Sequence, residues 1–181
     1  MINLKYNLMN PQIQEALNRQ INAELWSGYF YLAMSAHFAA AGYPGIANWN
    51  LVQFKEEQDH AMKLINFMVA RNGKPELRPI SEVKNSWDNP LEAFLAVQAH
   101  EQKVTEKINN LYALAQAEKD FATLAMLNWF VNEQVEEEDS VKKIIESLEM
   151  IKDNGYGLYM LDKELGQRTY SAPSSQIDTT K

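Results

Sequence analysis

Glutamate and histidine occur in this sequence at a spacing that suits metal binding. Glu57 and His60 lie three residues apart within a long stretch of helical periodicity, so on a helix both side chains project from one face. The same face carries Leu64 and Phe67, which marks it as the side that packs into the protein interior. A buried ionised carboxylate is strongly destabilising unless another group neutralises it. The pair therefore predicts a buried site that needs a cation.

Three other stretches of helical periodicity also carry polar side chains near the middle of an apolar face. These residues are Glu24 in the first stretch, Glu101 in the third, and Glu133, Gln134 and Glu137 in the fourth. A single acid of this kind usually lies at the edge of an apolar face and reaches water. Agreement among four helices favours a shared site, because mid-helix positions meet at one height whichever way each helix runs.

Oxygen atoms dominate this set of candidate ligands. Four carboxylates pointing inward would repel one another, and some would take up protons, unless a cation lay among them. An oxygen-rich set with a single imidazole suits iron or manganese better than zinc, which prefers histidine and cysteine. The pattern therefore predicts a metal centre inside a bundle of helices.

Capping residues, prolines and glycines divide the chain into four long predicted helices and a short fifth. The long helices are predicted at about 11–38, 44–71, 90–117 and 121–152. The fifth is marked by Leu158, Leu161 and Leu165 and stops at Gly166. This short helix could pack at a subunit contact or fold onto its own bundle, and the sequence leaves both arrangements open.

The lengths of the connections predict the topology of the bundle. Short links join the first helix to the second and the third to the fourth, so each pair is antiparallel. The segment 72–88 can extend to about 56 Å, whereas a helix of ~28 residues is ~42 Å long. The predicted fold class is therefore all-α, a four-helix bundle with one long crossover plus a short C-terminal helix. We predict one domain over 1–167 and a polar, mobile tail over 168–181.

The composition limits the possible partners and compartments. With 181 residues the chain forms one domain, and its net charge of −7 without a basic run argues against a nucleic-acid partner. The absence of cysteine excludes disulfides, thiolate zinc sites and iron–sulfur clusters. The first residues have no apolar signal core, and no apolar run approaches the ~18 residues of a membrane span. A cytoplasmic protein without a membrane contact is expected.

At the level of motifs the sequence resembles the ferritin family, in particular the haem-free bacterial ferritins, over about residues 7–167. The motifs that carry the resemblance are 22–24 with Tyr31, 56–60, Glu101 and 132–138. The resemblance implies an iron-storage ferroxidase that oxidises Fe(II) with O2 or peroxide and stores ferric oxyhydroxide in a hollow shell of 24 identical subunits. Gln58 stands where bacterioferritin has its haem-binding methionine, so no haem is expected.

The resemblance also assigns the ligands of a di-iron centre inside each subunit. The implied ligands of the two irons are Glu24, Glu57, His60, Glu101 and Glu137, with Gln134 close by. Glu57 would bridge the two irons, and His60 would be the one nitrogen ligand. Ser140 stands where a symmetric centre would repeat the histidine, so the second iron would be held more weakly and could leave.

Beyond the di-iron centre, the resemblance implies a third, looser iron site formed by Glu56, Glu133, Glu136 and Glu137. Tyr31 would lie beside the irons as a hydrogen-bond donor or electron source, and an aromatic side chain with a satisfied hydroxyl is the equal alternative. Trp129 is interpreted as a packing residue rather than a redox group.

The sequence departs from animal ferritins at one pair of positions, and two alternative functions stay open. Leu124 and Leu127 occupy the positions where animal ferritins carry the acids of an iron-conducting pore, so that route is not expected here. A small di-iron oxidase that acts on an organic substrate is the main alternative, and it would be a monomer or dimer. The second alternative is a structural bundle with solvated acids, which would bind no metal.

Overall fold

A computed structural model describes residues 9–171, and all of the regular structure in that range is helical. The helices are α1 (Pro11–Ala40), α2 (Pro44–Ala70), α3 (Pro90–Ala117), α4 (Phe121–Ile151) and α5 (Gly155–Leu165). The predicted all-α class is therefore confirmed. Among these helices none combines the length and apolar character that a bilayer crossing requires. The predicted tail is described only at 168–171, and 172–181 lie outside the described residues.

The helices begin where the capping signals predict. The Asn10 side chain accepts hydrogen bonds from the backbone N–H groups of Gln12 and Ile13, and Asn89 accepts one from Glu92. α5 starts earlier than its leucine pattern suggests, at Gly155. Its start is set by Asn154, whose side-chain oxygen accepts from the next two free N–H groups of the helix.

Two apolar clusters fill the two ends of the bundle and establish the direction of each helix. One cluster joins the end of α1, the start of α2, the start of α3 and the end of α4 through Phe38, Ile46, Phe94 and Leu148. The other joins the opposite ends through Ile13, Met68, Ala115 and Leu127. Because α2 and α3 start at the same end, they are parallel, and the segment 71–89 crosses the length of the bundle as predicted.

The short helix α5 folds onto its own bundle, which is one of the two arrangements that the sequence left open. Leu161 and Leu165 are buried in the first cluster, and the backbone N–H of Ile46 donates to Asp162 Oδ1 at 2.8 Å. The contact is close because residue 45 is glycine. A Cβ added there would lie 1.5 Å from the backbone oxygen of Asp162.

This close approach predicts that Gly45→Ala destabilises the docking of α5. The clash involves backbone atoms, so α5 must shift away from α2, and we expect a loss of about 2–4 kcal/mol in the free energy of unfolding. Thermal unfolding followed by circular dichroism measures the change. The control is Gly155→Ala, where an added Cβ meets open space. Equal stability of the two variants would contradict the prediction.

Candidate metal centre

Halfway along the bundle, between the two apolar clusters, each long helix contributes buried polar side chains. They are Glu24 from α1, Glu57 and His60 from α2, Glu101 from α3, and Gln134 and Glu137 from α4. None of them is more than 6% exposed. The packing therefore brings the mid-helix acids together at one height, as predicted. Because these side chains are buried, little water is available to stabilise their charge.

Three of these residues form a compact group with the spacing of a metal site. Glu24, Glu57 and His60 each offer one ligand atom, and these atoms lie within 4.8 Å of one another. Glu24 Oε1 accepts a hydrogen bond from Gln20 Nε2 at 2.9 Å, whereas Glu24 Oε2 and Glu57 Oε2 are buried with no hydrogen-bond partner among residues 9–171. Buried carboxylate oxygens without donors suit a bound cation.

The other two acids lie outside this compact group and are oriented by neutral donors. The Tyr31 hydroxyl donates to Glu101 Oε1, and Gln134 Nε2 donates to Glu101 Oε2 at 3.2 Å. Gln53 Nε2 donates to Glu137 Oε2 at 2.8 Å. Such donors fix the direction of a carboxylate in the way that outer-shell partners orient metal ligands.

Burial and mutual repulsion make Glu57, Glu101 and Glu137 hard to ionise. Burial raises the pKa of Glu57 well above its usual range, and the carboxylates of Glu24 and Glu101 raise it further. The pKa of Glu137 rises to about 7, mainly through burial and then through Glu101, against the opposing hydrogen bond from Gln53. Burial also raises the pKa of Glu101. Without a cation, the centre therefore holds protons that a cation would displace.

The raised pKa of Glu137 predicts that the metal-free protein loses stability as pH rises. The unfolded carboxyl titrates near 4.5 and the folded one near 7, so the folded state holds the extra proton between these values. The contribution of this group to the free energy of unfolding is fully present below about pH 4.5. It is lost as pH rises toward 7, by on the order of 3 kcal/mol. Thermal unfolding at a series of pH values in the presence of a chelator measures this slope. Glu137→Gln should flatten it, and an unchanged slope would contradict the assignment.

Tyr31 is fully buried against the centre. Its pKa is raised well above 10 by burial and by Glu101, so the hydroxyl keeps its proton and acts as a donor. Its ring packs edge-on to Trp49 with centroids 6.2 Å apart. Trp129 packs edge-on against the ring of His60, with centroids 5.3 Å apart. Trp129 thus contacts a candidate ligand through packing, whereas Tyr31 contacts one through its hydrogen bond to Glu101.

The residues of the predicted third site are less closely gathered. Glu133 Oε1 lies 4.0 Å from His60 Nε2, and Glu136 is exposed. Glu56 Oε2 accepts a hydrogen bond from Arg168 Nη2 at 2.6 Å. In the part of the chain that the structure describes, the group of Glu24, Glu57 and His60 alone has the compact spacing of a metal site.

Three residues that contact the acids have no role in the predictions made from the sequence. Gln20 precedes Glu24 by four residues, so the two share a helix face, and this spacing could have revealed Gln20. Gln53 contacts Glu137 on α4, and helical spacing does not reveal a contact between two helices. Arg168 has no such signal. It lies 112 residues from Glu56, and helical periodicity does not extend over such a distance.

Comparisons with known proteins agree with the architecture. Residues 14–151 match the ferritin-like domain family. The chain is 39% identical to the bacterial non-heme ferritin of Staphylococcus aureus (strain USA300), over 90% of this chain and 98% of that protein. It is 38% identical to the bacterial non-heme ferritin of Bacteroides fragilis (strain 638R), over 89% of this chain and all of that protein. A solved open-pore ferritin from the hyperthermophilic archaeon Archaeoglobus fulgidus superposes with a TM-score of 0.88 at 46% identity, over 89% of this chain and 98% of that chain.

Proposed function

Because this chain belongs to the ferritin family, we propose that it stores iron by oxidising Fe(II) to Fe(III) at the buried acids of the bundle. The observation that carries the proposal is the group of Glu24, Glu57 and His60, in which two buried carboxylate oxygens lack donors among the described residues. Aerobic addition of Fe(II) to the protein and to a variant without Glu57 and His60 tests it.

The chemistry requires two Fe(II) ions held close to each other. Each ion loses one electron, and O2 accepts the two electrons with two protons to give H2O2. When peroxide is the oxidant, it accepts two electrons and two protons to give two molecules of water. Carboxylate ligands favour this direction because hard oxygen donors stabilise Fe(III) relative to Fe(II).

Each residue of the centre has a proposed part in holding these ions. His60 and Glu24 would bind the first ion, and Glu57 would bind it as well and bridge to the second. Glu101 and Glu137 bind the second ion, with Gln134 and Tyr31 orienting Glu101 through their hydrogen bonds. Tyr31 Oη keeps its proton during the oxidation, since burial and the neighbouring acids disfavour its ionisation.

The two sides of the proposed centre differ in the ligands that they offer. His60 supplies nitrogen on one side, whereas the corresponding position on α4 is Ser140, which is exposed. A side made of carboxylates alone releases its product more readily, which suits a storage protein. We propose that Fe(III) passes from this side through a third position formed by Glu56, Glu133, Glu136 and Glu137.

We further propose that the chain assembles into a shell of 24 subunits and acts in the cytoplasm. Large apolar side chains remain exposed on the single chain, including Phe121 at 74% and Tyr156 at 72%, and exposed apolar surface commonly marks protein contacts. Leu127 is buried within its own bundle, which supports the expectation that the fourth helix supplies no acidic pore at this position. The open pore named for the A. fulgidus ferritin supports assembly, because a pore is a property of a shell.

The proposed assembly predicts the mass of the protein in solution. A shell of 24 chains of 20.8 kDa has a mass of about 500 kDa. Sedimentation equilibrium measures this mass directly, and electron microscopy of the same sample should show hollow spheres. A stable monomer or dimer as the sole species would contradict the shell and would favour the alternative of a small di-iron oxidase.

A further inference from the structure

The residues that follow α5 are held against α2 at three successive points. Asn48 Nδ2 donates to the backbone oxygen of Arg168 at 2.9 Å, and Arg168 Nη2 donates to Glu56 Oε2 at 2.6 Å. One turn further along α2, Asp59 Oδ2 accepts from the Tyr170 hydroxyl at 2.5 Å. The start of the C-terminal segment therefore runs along α2 beside the metal centre.

The guanidinium of Arg168 is held in a defined place. Its central carbon lies 4.9 Å from the centroid of the Trp49 ring, and the side chain is 28% exposed. Nη1 is buried and has no hydrogen-bond partner among residues 9–171. Because one nitrogen bonds Glu56 and the guanidinium lies over an aromatic ring, the positive charge is fixed next to Glu56.

The charge of Arg168 reaches more than one acid. Burial raises the pKa of Glu56, and the charge of Arg168 opposes this rise; the same charge also opposes the burial-driven rise in the pKa of Glu137. Both acids belong to the proposed third iron position, so a fixed cation already neutralises part of that position. A metal ion arriving there must share Glu56 with the guanidinium and is repelled by it.

We propose that Arg168 is the residue that sets the affinity of the third iron position, as an internal cation that competes with iron for Glu56. This inference rests on the proposed function, in particular on the third position. Arg168 keeps the position weak, so that an ion leaving the di-iron centre passes through instead of remaining bound. Removing the charge leaves Glu56 and its neighbouring acids with unbalanced repulsion, which a metal ion then relieves.

Anaerobic titration of the assembled, full-length protein with Fe(II), followed by calorimetry, tests this proposal through binding alone. The variants are Arg168→Gln, Arg168→Lys, Glu56→Gln and the double variant Arg168→Gln, Glu56→Gln. The matched control is Arg78→Gln, because Arg78 on the crossover forms an ion pair of the same 2.6 Å length with Glu15 on α1. We expect two tight equivalents per subunit in all of these proteins.

The third equivalent should respond to the charge at position 168. In Arg168→Gln it should bind about three- to tenfold more tightly, the range expected when one partly exposed, charge-assisted pair is removed. Arg168→Lys, which keeps the charge, and Arg78→Gln should bind it as the wild type does. In the Glu56→Gln background, Arg168→Gln should have no further effect.

The outcomes separate the inference from the function on which it rests. A third equivalent of unchanged affinity in Arg168→Gln overturns the proposal, and so does a tightening that Arg168→Lys or the double variant reproduces. Two equivalents in every protein, with no third in any, overturn both the third position and the role of Arg168 while leaving the di-iron centre intact. If the first two equivalents are also missing from the wild type, the proposed oxidation centre itself fails.

Discussion

Replacing both Glu57 and His60 with alanine should slow the aerobic oxidation of Fe(II) by about 100-fold or more. Mutation of groups that merely orient metal ligands already costs ~10- to 100-fold in metal affinity or activity, and these two residues are proposed as ligands. Glu57 is proposed to join the two halves of the centre, and His60 supplies its nitrogen ligand. Their loss would remove both the proposed bridge and two of the three proposed ligands of the first iron.

The measurement is the initial rise of ferric absorbance after two Fe(II) per subunit are mixed with oxygenated protein. The matched control is the double variant Glu146→Ala, His37→Ala, which has the same two types of substitution at positions away from the centre. Circular dichroism and the mass of the assembly establish that both double variants fold. A wild-type rate in the variant without Glu57 and His60 would rule out the proposed oxidation centre.

The helices could be predicted because their signals are local. Asn10 and Asn89 cap helices that begin with proline, and the structure shows both side chains bonded to the first free N–H groups. The parallel arrangement of α2 and α3 followed from the length of the crossover, which is also a property of a continuous segment. The docking of α5 was left open because it depends on Gly45 and Asp162, which lie in different parts of the chain.

The candidate site could be predicted to the extent that helical spacing determines it. Glu24, Glu57 and His60 were identified from their positions on apolar faces, and the structure brings them together. The spacing could not show that Glu101 and Glu137 would be held by Tyr31 and by an amide on α2, since these contacts cross between helices. It also could not show which acids hold protons, because burial and mutual distance set the pKa values.

The third position shows most clearly where helical spacing stops being informative. Glu56 and Glu136 are both glutamates within long helices. Glu56 is half-buried and bonded to Arg168, whereas Glu136 is exposed. Arg168 belongs to the segment predicted as a polar tail, where no periodicity applies. A cation from such a segment can alter a site on a distant helix without leaving any pattern in the sequence.

Replacing Glu57 with glutamine should stabilise the metal-free protein while removing its stabilisation by iron. The folded protein must either bury the charge of Glu57 or hold a proton that the unfolded chain releases, because the pKa of this group is raised in the folded state. Both conditions reduce stability at neutral pH, and the amide avoids both. We expect a gain of roughly 1–3 kcal/mol, or ~2–10 °C in Tm, at pH 7.5.

The size of this stabilisation depends on pH in a way that identifies its cause. Below about pH 4.5 the unfolded carboxyl is protonated as well, so Glu57→Gln should gain little there. Scanning calorimetry at both pH values, with Glu146→Gln as the exposed control, measures the difference. An equal gain at both values would mean that packing, and not ionisation, is responsible.

The same variant separates a metal-binding protein from a bundle with solvated acids. Fe(II) added without oxygen at 100 times its dissociation constant should stabilise the wild type by about 2.7 kcal/mol, because it binds the folded state alone. Glu57→Gln should lose most of this increase, since the buried carboxylate proposed to bind iron becomes a neutral amide. Iron that stabilises both proteins equally would show that Glu57 is not a ligand. A residue that weakens the empty fold and strengthens the loaded one is expected when a buried acid is retained for the cation it binds.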